Sequence, residues 1–160
     1  MLYVHSIIAI FEYHFIRISS PGNPIELNFS KTTSYALSTL SFLADHKGNR
    51  YSAKRLHEEL GIPWPYLRQL LTNLSKNGFI TSSRGRNGGF LLQKSAHEIT
   101  LAEIVDSVEG LNVFGTCIMG FKKCPFDHTC AMHETWMSTR ENILNVLRNT
   151  TLSQLKKHDE

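Results

Sequence analysis

The chain has 160 residues, 41% of them hydrophobic, and a formal charge of +3. That is the length of one ordinary domain with an appended helix, apolar enough for a real core and too polar for a membrane protein. A net charge this small points to no class of partner by itself.

Residues 1–18 are apolar but carry Glu12 and Arg17. Their uninterrupted apolar core, Ile7 to Phe11, is much shorter than the roughly 20 residues a spanning helix needs. No basic lead-in and no small-residue cleavage site mark a signal peptide. The expectation is a cytoplasmic protein with no membrane partner. Residues 19–24, Ser-Ser-Pro-Gly-Asn-Pro, read as a linker, and residues 1–26 as an extension outside the fold.

The folded part is expected from Leu27. Ser30 can cap a helix over 30–46, in which Ala36, Leu37, Leu40, Leu43 and Ala44 recur at spacings of three and four. Ser52 caps a second, short helix striped by Ala53, Leu56 and Leu60 and stopped by Gly61. The turn Ile62-Pro63-Trp64-Pro65 leads into a third helix, with proline suited to its first position. Leu67, Leu70, Leu71 and Leu74 would face inward. Tyr66, Arg68, Gln69, Thr72, Asn73 and Lys76 would face out, and Asn77-Gly78 closes the helix. Residues 79–83 and 90–93 read as two strands around the basic, glycine-rich tip 84–89. Thr100-Leu101-Ala102-Glu103 is a capping box opening a helix that ends at Gly110. Residues 111–130 have no clear period and read as a loop. A long helix follows from Ala131 to about Asn149, striped by Met132, Trp136, Ile143, Val146 and Leu147, and Thr151–Gln154 can cap a last turn.

Two short helices, a tight turn and a two-stranded wing give the fold class: mainly α with a small β wing, a winged helix-turn-helix over 27–110. The cysteine-bearing loop 111–130, a dimerisation helix 131–155 and a tail 156–160 complete it. In such a fold the second helix of the pair enters the major groove of double-stranded DNA. The residues placed to touch DNA there are Trp64, Tyr66, Arg68, Gln69, Thr72 and Asn73. Arginine can bond guanine bidentately and glutamine can do so with adenine; sealing the turn is the alternative reading of Trp64. At the wing tip the candidates are Arg84, Gly85, Arg86 and Asn87, where an arginine can enter a narrow minor groove. Between Lys47 and Lys94 nine basic residues face two acidic ones, the footprint of a nucleic-acid surface. A merely solvated basic face is the alternative.

The three cysteines of the chain all lie within one short stretch, in the spacing Cys117-x6-Cys124-x5-Cys130-x2-His133. An odd, clustered set in a reducing compartment argues for metal or redox chemistry over a disulfide framework. Three thiolates and an imidazole make a four-ligand set, with Cys130 and His133 on one side of a helix start. Soft thiolates suit iron–sulfur clusters, zinc or copper(I), and the residues alone leave these open. Among enzyme signatures, no Cys-x-x-Cys, His-Glu-x-x-His or phosphate loop occurs, so no small-molecule substrate is expected.

Residues 27–31 through Tyr35-Ala36-Leu37 resemble the opening of the Rrf2 family of bacterial winged-helix regulators, the IscR, NsrR and CymR type. Ile62-Pro63 with 66–71 and 74–78 resembles its recognition helix, and Ser83-Arg84-Gly85 with 88–92 its wing. The resemblance spans about 27–155. Arg86 stands where the family usually has proline, Arg68 where many members have glutamate, and six residues separate the first two cysteines where five are common. The resemblance implies a homodimer on a near-palindromic operator, and an iron–sulfur cluster, 2Fe–2S in preference to 4Fe–4S, on Cys117, Cys124, Cys130 and His133. Ser34 matches the position where other members supply an acidic ligand and is a poor donor; His128 and Glu134 are the substitutes for His133. Trp136 reads as dimer core. A thiol redox switch, a structural zinc or no metal are the alternatives, as is a protein adaptor that uses the winged helix only as scaffold.

Overall fold

Caps and left-handed glycines set the element boundaries in the computed structural model, which describes residues 15–18, 25–117, 119–121, 125–127 and 130–155. Ser30 accepts from the Thr33 amide and opens α1, Lys31–Asp45. Ser52 accepts from the Arg55 amide and opens α2, Ala53–Leu60, which Gly61 ends at φ +63°. With Pro63 at its N-cap and Pro65 in its first turn, α3 runs Trp64–Lys76. Gly78 (φ +73°) then reverses the chain, and Phe79 donates back to the Leu74 carbonyl at 3.0 Å. Such a left-handed glycine satisfies the last orphan carbonyls of a helix.

Two strands follow, β3 (Ile80–Ser83) and β4 (Gly89–Leu92), paired antiparallel with Ile80 opposite Leu92 and Ser83 opposite Gly89. Tyr51 adds a bridge to this ribbon that the sequence reading did not foresee: its backbone exchanges hydrogen bonds with Phe90 at 3.0 and 2.8 Å. Tyr51, two residues ahead of α2, is thereby tied to the wing. Earlier in the chain, β1 (Phe15–Ile18) and β2 (Ile25–Asn28) form an antiparallel hairpin. Most of these residues fall in the stretch 1–26 expected to be an extension outside the fold; strands of four residues are too short to show a period. The apolar run 7–11 and the linker 19–24 lie outside the described residues.

The chain divides into two compact units, residues 1–95 and 96–160. In the first, α1, α2 and α3 pack on one another, and α1 and α3 pack on the wing. Their buried side chains include Leu37, Leu40, Leu43, Leu56, Leu67, Leu71 and Leu74, with Phe79 and Ile80 at the wing base. The second unit is built on α4 (Leu101–Val108) and α5 (Ala131–Asn149), so the α4 helix, read from the sequence with the winged domain 27–110, groups by contact with the long helix. Both halves of the α4 capping box form: Glu103 donates its amide to Thr100, and its carboxylate accepts from the Thr100 amide at 2.8 Å. A 3-10 helix, Leu111–Gly115, occupies the start of the stretch expected to be loop. Gly110 at φ +79° turns the chain into it, and the Asp106 carboxylate holds the Leu111 amide at 3.0 Å. A final 3-10 turn, Leu152–Leu155, closes back on Ile99 through the Leu152 amide at 2.8 Å. Ile143, Leu144 and Leu147 of α5 are buried in this unit with Ile99, Leu101, Ile104 and Val105. Among the described residues no helix is long and apolar enough to cross a membrane.

Gly89 is where the wing meets the Tyr51 backbone. It sits at φ +148°, and a Cβ there would come within 2.8 Å of the Tyr51 backbone. A side chain would therefore meet both a strained conformation and immovable main chain. Gly89→Ala is expected to lower the unfolding free energy by about 2 kcal/mol or more, measured by urea denaturation. A loss below about 0.5 kcal/mol would show that the Tyr51 contact does not constrain the wing.

Candidate nucleic-acid interface and cysteine segment

The α3 helix is amphipathic as its leucine spacing demands. Leu67, Leu70, Leu71 and Leu74 are buried, while Tyr66, Arg68, Gln69 and Thr72 are exposed on the opposite face. The structure thus gathers these four candidates on one surface. Asn73 is only half-exposed, and Asn77 Nδ2 donates to its Oδ1 at 2.7 Å, which occupies part of its capacity to reach a base. Trp64 does two things at once. Its ring meets His57 edge-on at 5.7 Å, and His57 in turn bonds the Ile62 carbonyl through Nδ1 at 2.7 Å. Yet 40% of Trp64 remains exposed. It seals the helix-turn-helix corner and still offers an indole face to a partner.

At the wing tip, Arg84, Gly85, Arg86 and Asn87 are all exposed. Gly85 takes φ +106°, and its carbonyl accepts from the Gly88 amide at 2.9 Å, closing the tip turn. Arg50 joins them: its Nη1 donates to Ser83 Oγ at 3.0 Å, next to Arg84. The sequence reading counted Arg50 only as charge, because nothing local shows that position 50 lies against the wing; the Tyr51 bridge is what brings it there. On α2, Lys54 pairs with Glu58 at 3.9 Å and Arg55 with Glu59. These exposed helical pairs are worth little in stability. They do neutralise the two acids of the segment locally, so the uncompensated charge rests on residues outside α2. Between α3 and the wing lies an open groove of about 620 Å³, bordered by Trp64, Arg68, Thr72, Lys76, Ser82 and Phe90. Two cations, Arg68 and Lys76, and three hydroxyls, those of Thr72, Ser75 and Ser82, on one apolar floor suit a phosphate backbone passing between helix and wing.

In the second unit, Cys117 follows the 3-10 helix, and its carbonyl accepts from the Gly120 amide at 2.8 Å. Cys130 occupies the N-cap of α5 without capping it through its side chain. That position favours Ser, Thr, Asp or Asn, so helix formation does not explain a cysteine there. His133 lies one turn on, its amide bonded to the Cys130 carbonyl at 3.0 Å. Cys117 and Cys130 are half-buried free thiols. Among the described residues no three His, Cys, Asp or Glu side chains gather closely enough to share a metal ion; Cys124 and His128 lie outside those residues. The donor chemistry fits a soft metal or iron–sulfur group: two thiols and an imidazole on segments bordering one loop. Trp136, expected in a dimer core, donates its Nε1 proton within its own chain, to the Thr116 carbonyl at 2.9 Å.

Residues 29–158 match the family model Rrf2, described as an iron-dependent transcriptional regulator. The chain is 36% identical over 105 residues to the HTH-type transcriptional regulator IscR of Pectobacterium carotovorum, a match covering 66% of this chain and 63% of that protein. Among solved structures it is similar to CymR, the global cysteine regulator of B. subtilis, with TM-score 0.67, 28% identity, and coverage of 81% of this chain and 95% of that one. It is also similar to T. potens IscR, with TM-score 0.64, 28% identity, and coverage of 81% and 85%. With the helix pair, the wing and a family match over most of its length, the chain belongs to the Rrf2 family of winged-helix transcriptional regulators.

Proposed function

We propose that this regulator binds a near-palindromic DNA operator as a homodimer, most simply as a repressor, and that an iron–sulfur cluster on its cysteine segment switches that binding. The observation that carries the DNA-binding reading is the union of an outward polar face on α3 with a doubly basic glycine tip in one packed unit. Arg68 and Gln69 would read base edges. Arg84 and Arg86, with Arg50 and Lys76, would neutralise phosphates, and phosphate contacts fix register without reading sequence. Because Arg68 departs from the glutamate that many members carry, the base it selects is this chain's own. Self-pairing of α5 is supported by Met132 and Met137, 45% and 43% exposed on its first half, which a second copy would cover.

For the sensor, Cys117, Cys124, Cys130 and His133 would hold the cluster, 2Fe–2S in preference to 4Fe–4S. When bound, such a group supplies an electron-accepting centre that also reacts with small ligands. The chain's own part is to border the loop with a 3-10 helix on one side and the α5 N-terminus on the other, so that ligation biases how α5 begins. A change there moves the position of the two recognition helices only if the loaded and empty dimers differ in energy, as any two-state switch requires. Similarity to IscR supports this reading. Similarity to CymR, a cysteine regulator, favours a second one in which the same thiols act by oxidation without metal, or hold a structural zinc.

Anaerobic purification followed by iron and sulfide analysis separates these readings: a coloured protein with both elements is expected, and a colourless, zinc-free protein that still binds DNA would establish the second. Cys117→Ser and Cys130→Ser should each abolish the visible absorption while leaving far-ultraviolet helix content unchanged.

The wing makes a quantitative expectation. Arg84→Ala/Arg86→Ala should weaken operator binding about tenfold or more and make the slope of log K against log salt shallower by roughly two, one per lost phosphate contact. Unchanged affinity and slope in a fluorescence anisotropy titration would remove DNA as the partner of this face and leave the adaptor role.

A further inference from the structure

The hydrogen bond from Trp136 to Thr116 spans 20 positions of sequence and serves neither helix. It ends on the residue immediately before Cys117. One turn further along α5, the Arg140 guanidinium lies beside Gly115, where an added Cβ would stand 3.9 Å from Nη2. Arg140 Nε is buried there without a hydrogen-bond partner among the described residues. Side chains four apart on a helix share a face, so Trp136 bonds residue 116 while Arg140 lies beside residue 115. On the far side of Cys117 the Gly120 amide closes a turn on the Cys117 carbonyl at 2.8 Å. The same helix begins at Cys130 and carries His133 in its first turn. Two of the candidate ligands thus belong to α5 directly, and a third is tied to it by the indole.

We propose that Trp136 is a positioning residue: its indole N–H fastens the Cys117 segment to α5 before any group is bound, so that both ends of the cysteine loop are carried by one helix. The inference that this fastening serves ligation rests on the cluster reading above; the fastening itself does not. Joining the ends of a free loop costs closure entropy that grows with its length. A loop already clamped at residue 116 and at the start of α5 has met most of that cost before ligands converge. Cluster assembly then becomes more favourable, and the orientation of Cys117 is set by the helix rather than by the metal group. The fold itself does not depend on this bond, since the buried part of α5 is Ile143, Leu144 and Leu147, well beyond Trp136.

The test uses the full chain with Trp136→Phe, which keeps an aromatic ring and removes the donor. In metal-free protein carrying Cys124→Ser and Cys130→Ser, alkylation of Cys117 by iodoacetamide should run about fivefold faster in the Phe variant, the factor that one lost net hydrogen bond gives a local opening equilibrium. Equal rates would overturn the proposal. Should the variant lose helix content, exchange of the Trp136 indole N–H in the otherwise unaltered metal-free chain decides instead: protection is expected, and exchange at the free-indole rate would overturn it. In reconstituted protein, Trp136→Phe should change the visible circular dichroism and shorten the half-life of the colour against a chelator. Identical spectra and half-lives would refute a positioning role. A wild-type chain that assembles no cluster would refute the ligand assignment instead, with the alkylation and exchange results still standing for or against the clamp.

Discussion

A helix can read a groove only if its hidden face cannot slide. In α3 that face is Leu67, Leu70, Leu71 and Leu74, all buried against α1, α2 and the base of the wing. Each such side chain contributes about 1.5–3 kcal/mol by burial, so rotating α3 to re-aim its polar face would expose several of them together. Arg68, Gln69 and Thr72 are consequently presented in a fixed frame. The wing is held in that same frame by the Tyr51–Phe90 bridge and by the close approach of Gly89 to the Tyr51 backbone. Preorganisation of this kind keeps binding energy from being spent on ordering the site.

Much of this frame was legible in the residues, and for local reasons. Ser30, Ser52 and Thr100 each cap the helix expected of them, because a side-chain oxygen two or three residues ahead of an orphan amide acts within one turn. The leucine spacing of α3 gave its buried face, and the glycines gave the wing turn. Contacts distant in sequence were not legible. The Tyr51–Phe90 bridge joins residues far apart in the chain, and Arg50 reaches Ser83 only as a result. Leu144 was missed on α5 because Ile143, Val146 and Leu147 already filled the expected stripe, although Leu144 is the more buried neighbour of Val146. The bond from Trp136 to Thr116, 20 positions away, was likewise not legible.

The second unit has a different logic. Its packed end, α4 with the C-terminal half of α5 and the last 3-10 turn, is closed by backbone bonds from Leu101 to Thr150 and from Leu152 to Ile99. Its other end is loosely covered: Met119, Phe121 and Phe126 of the cysteine segment are 44–67% exposed, alongside Met132 and Met137. An apolar surface of this kind is where a second chain would seat. Cys130 at the N-cap and His133 in the first turn of α5 lie at this same end. The proposed switch would need that contrast: one element that keeps its shape and one whose environment has two settings.

Whether the two units act together is decided by the coupling between them. The direct measurement is the dissociation constant for one and the same operator duplex, taken anaerobically at one salt concentration, with cluster-loaded and with metal-free protein. The account predicts constants that differ about tenfold or more, within the range of ordinary allosteric coupling. Equal constants in the two forms would contradict it, leaving a DNA-binding protein whose cysteine segment does not govern its grip.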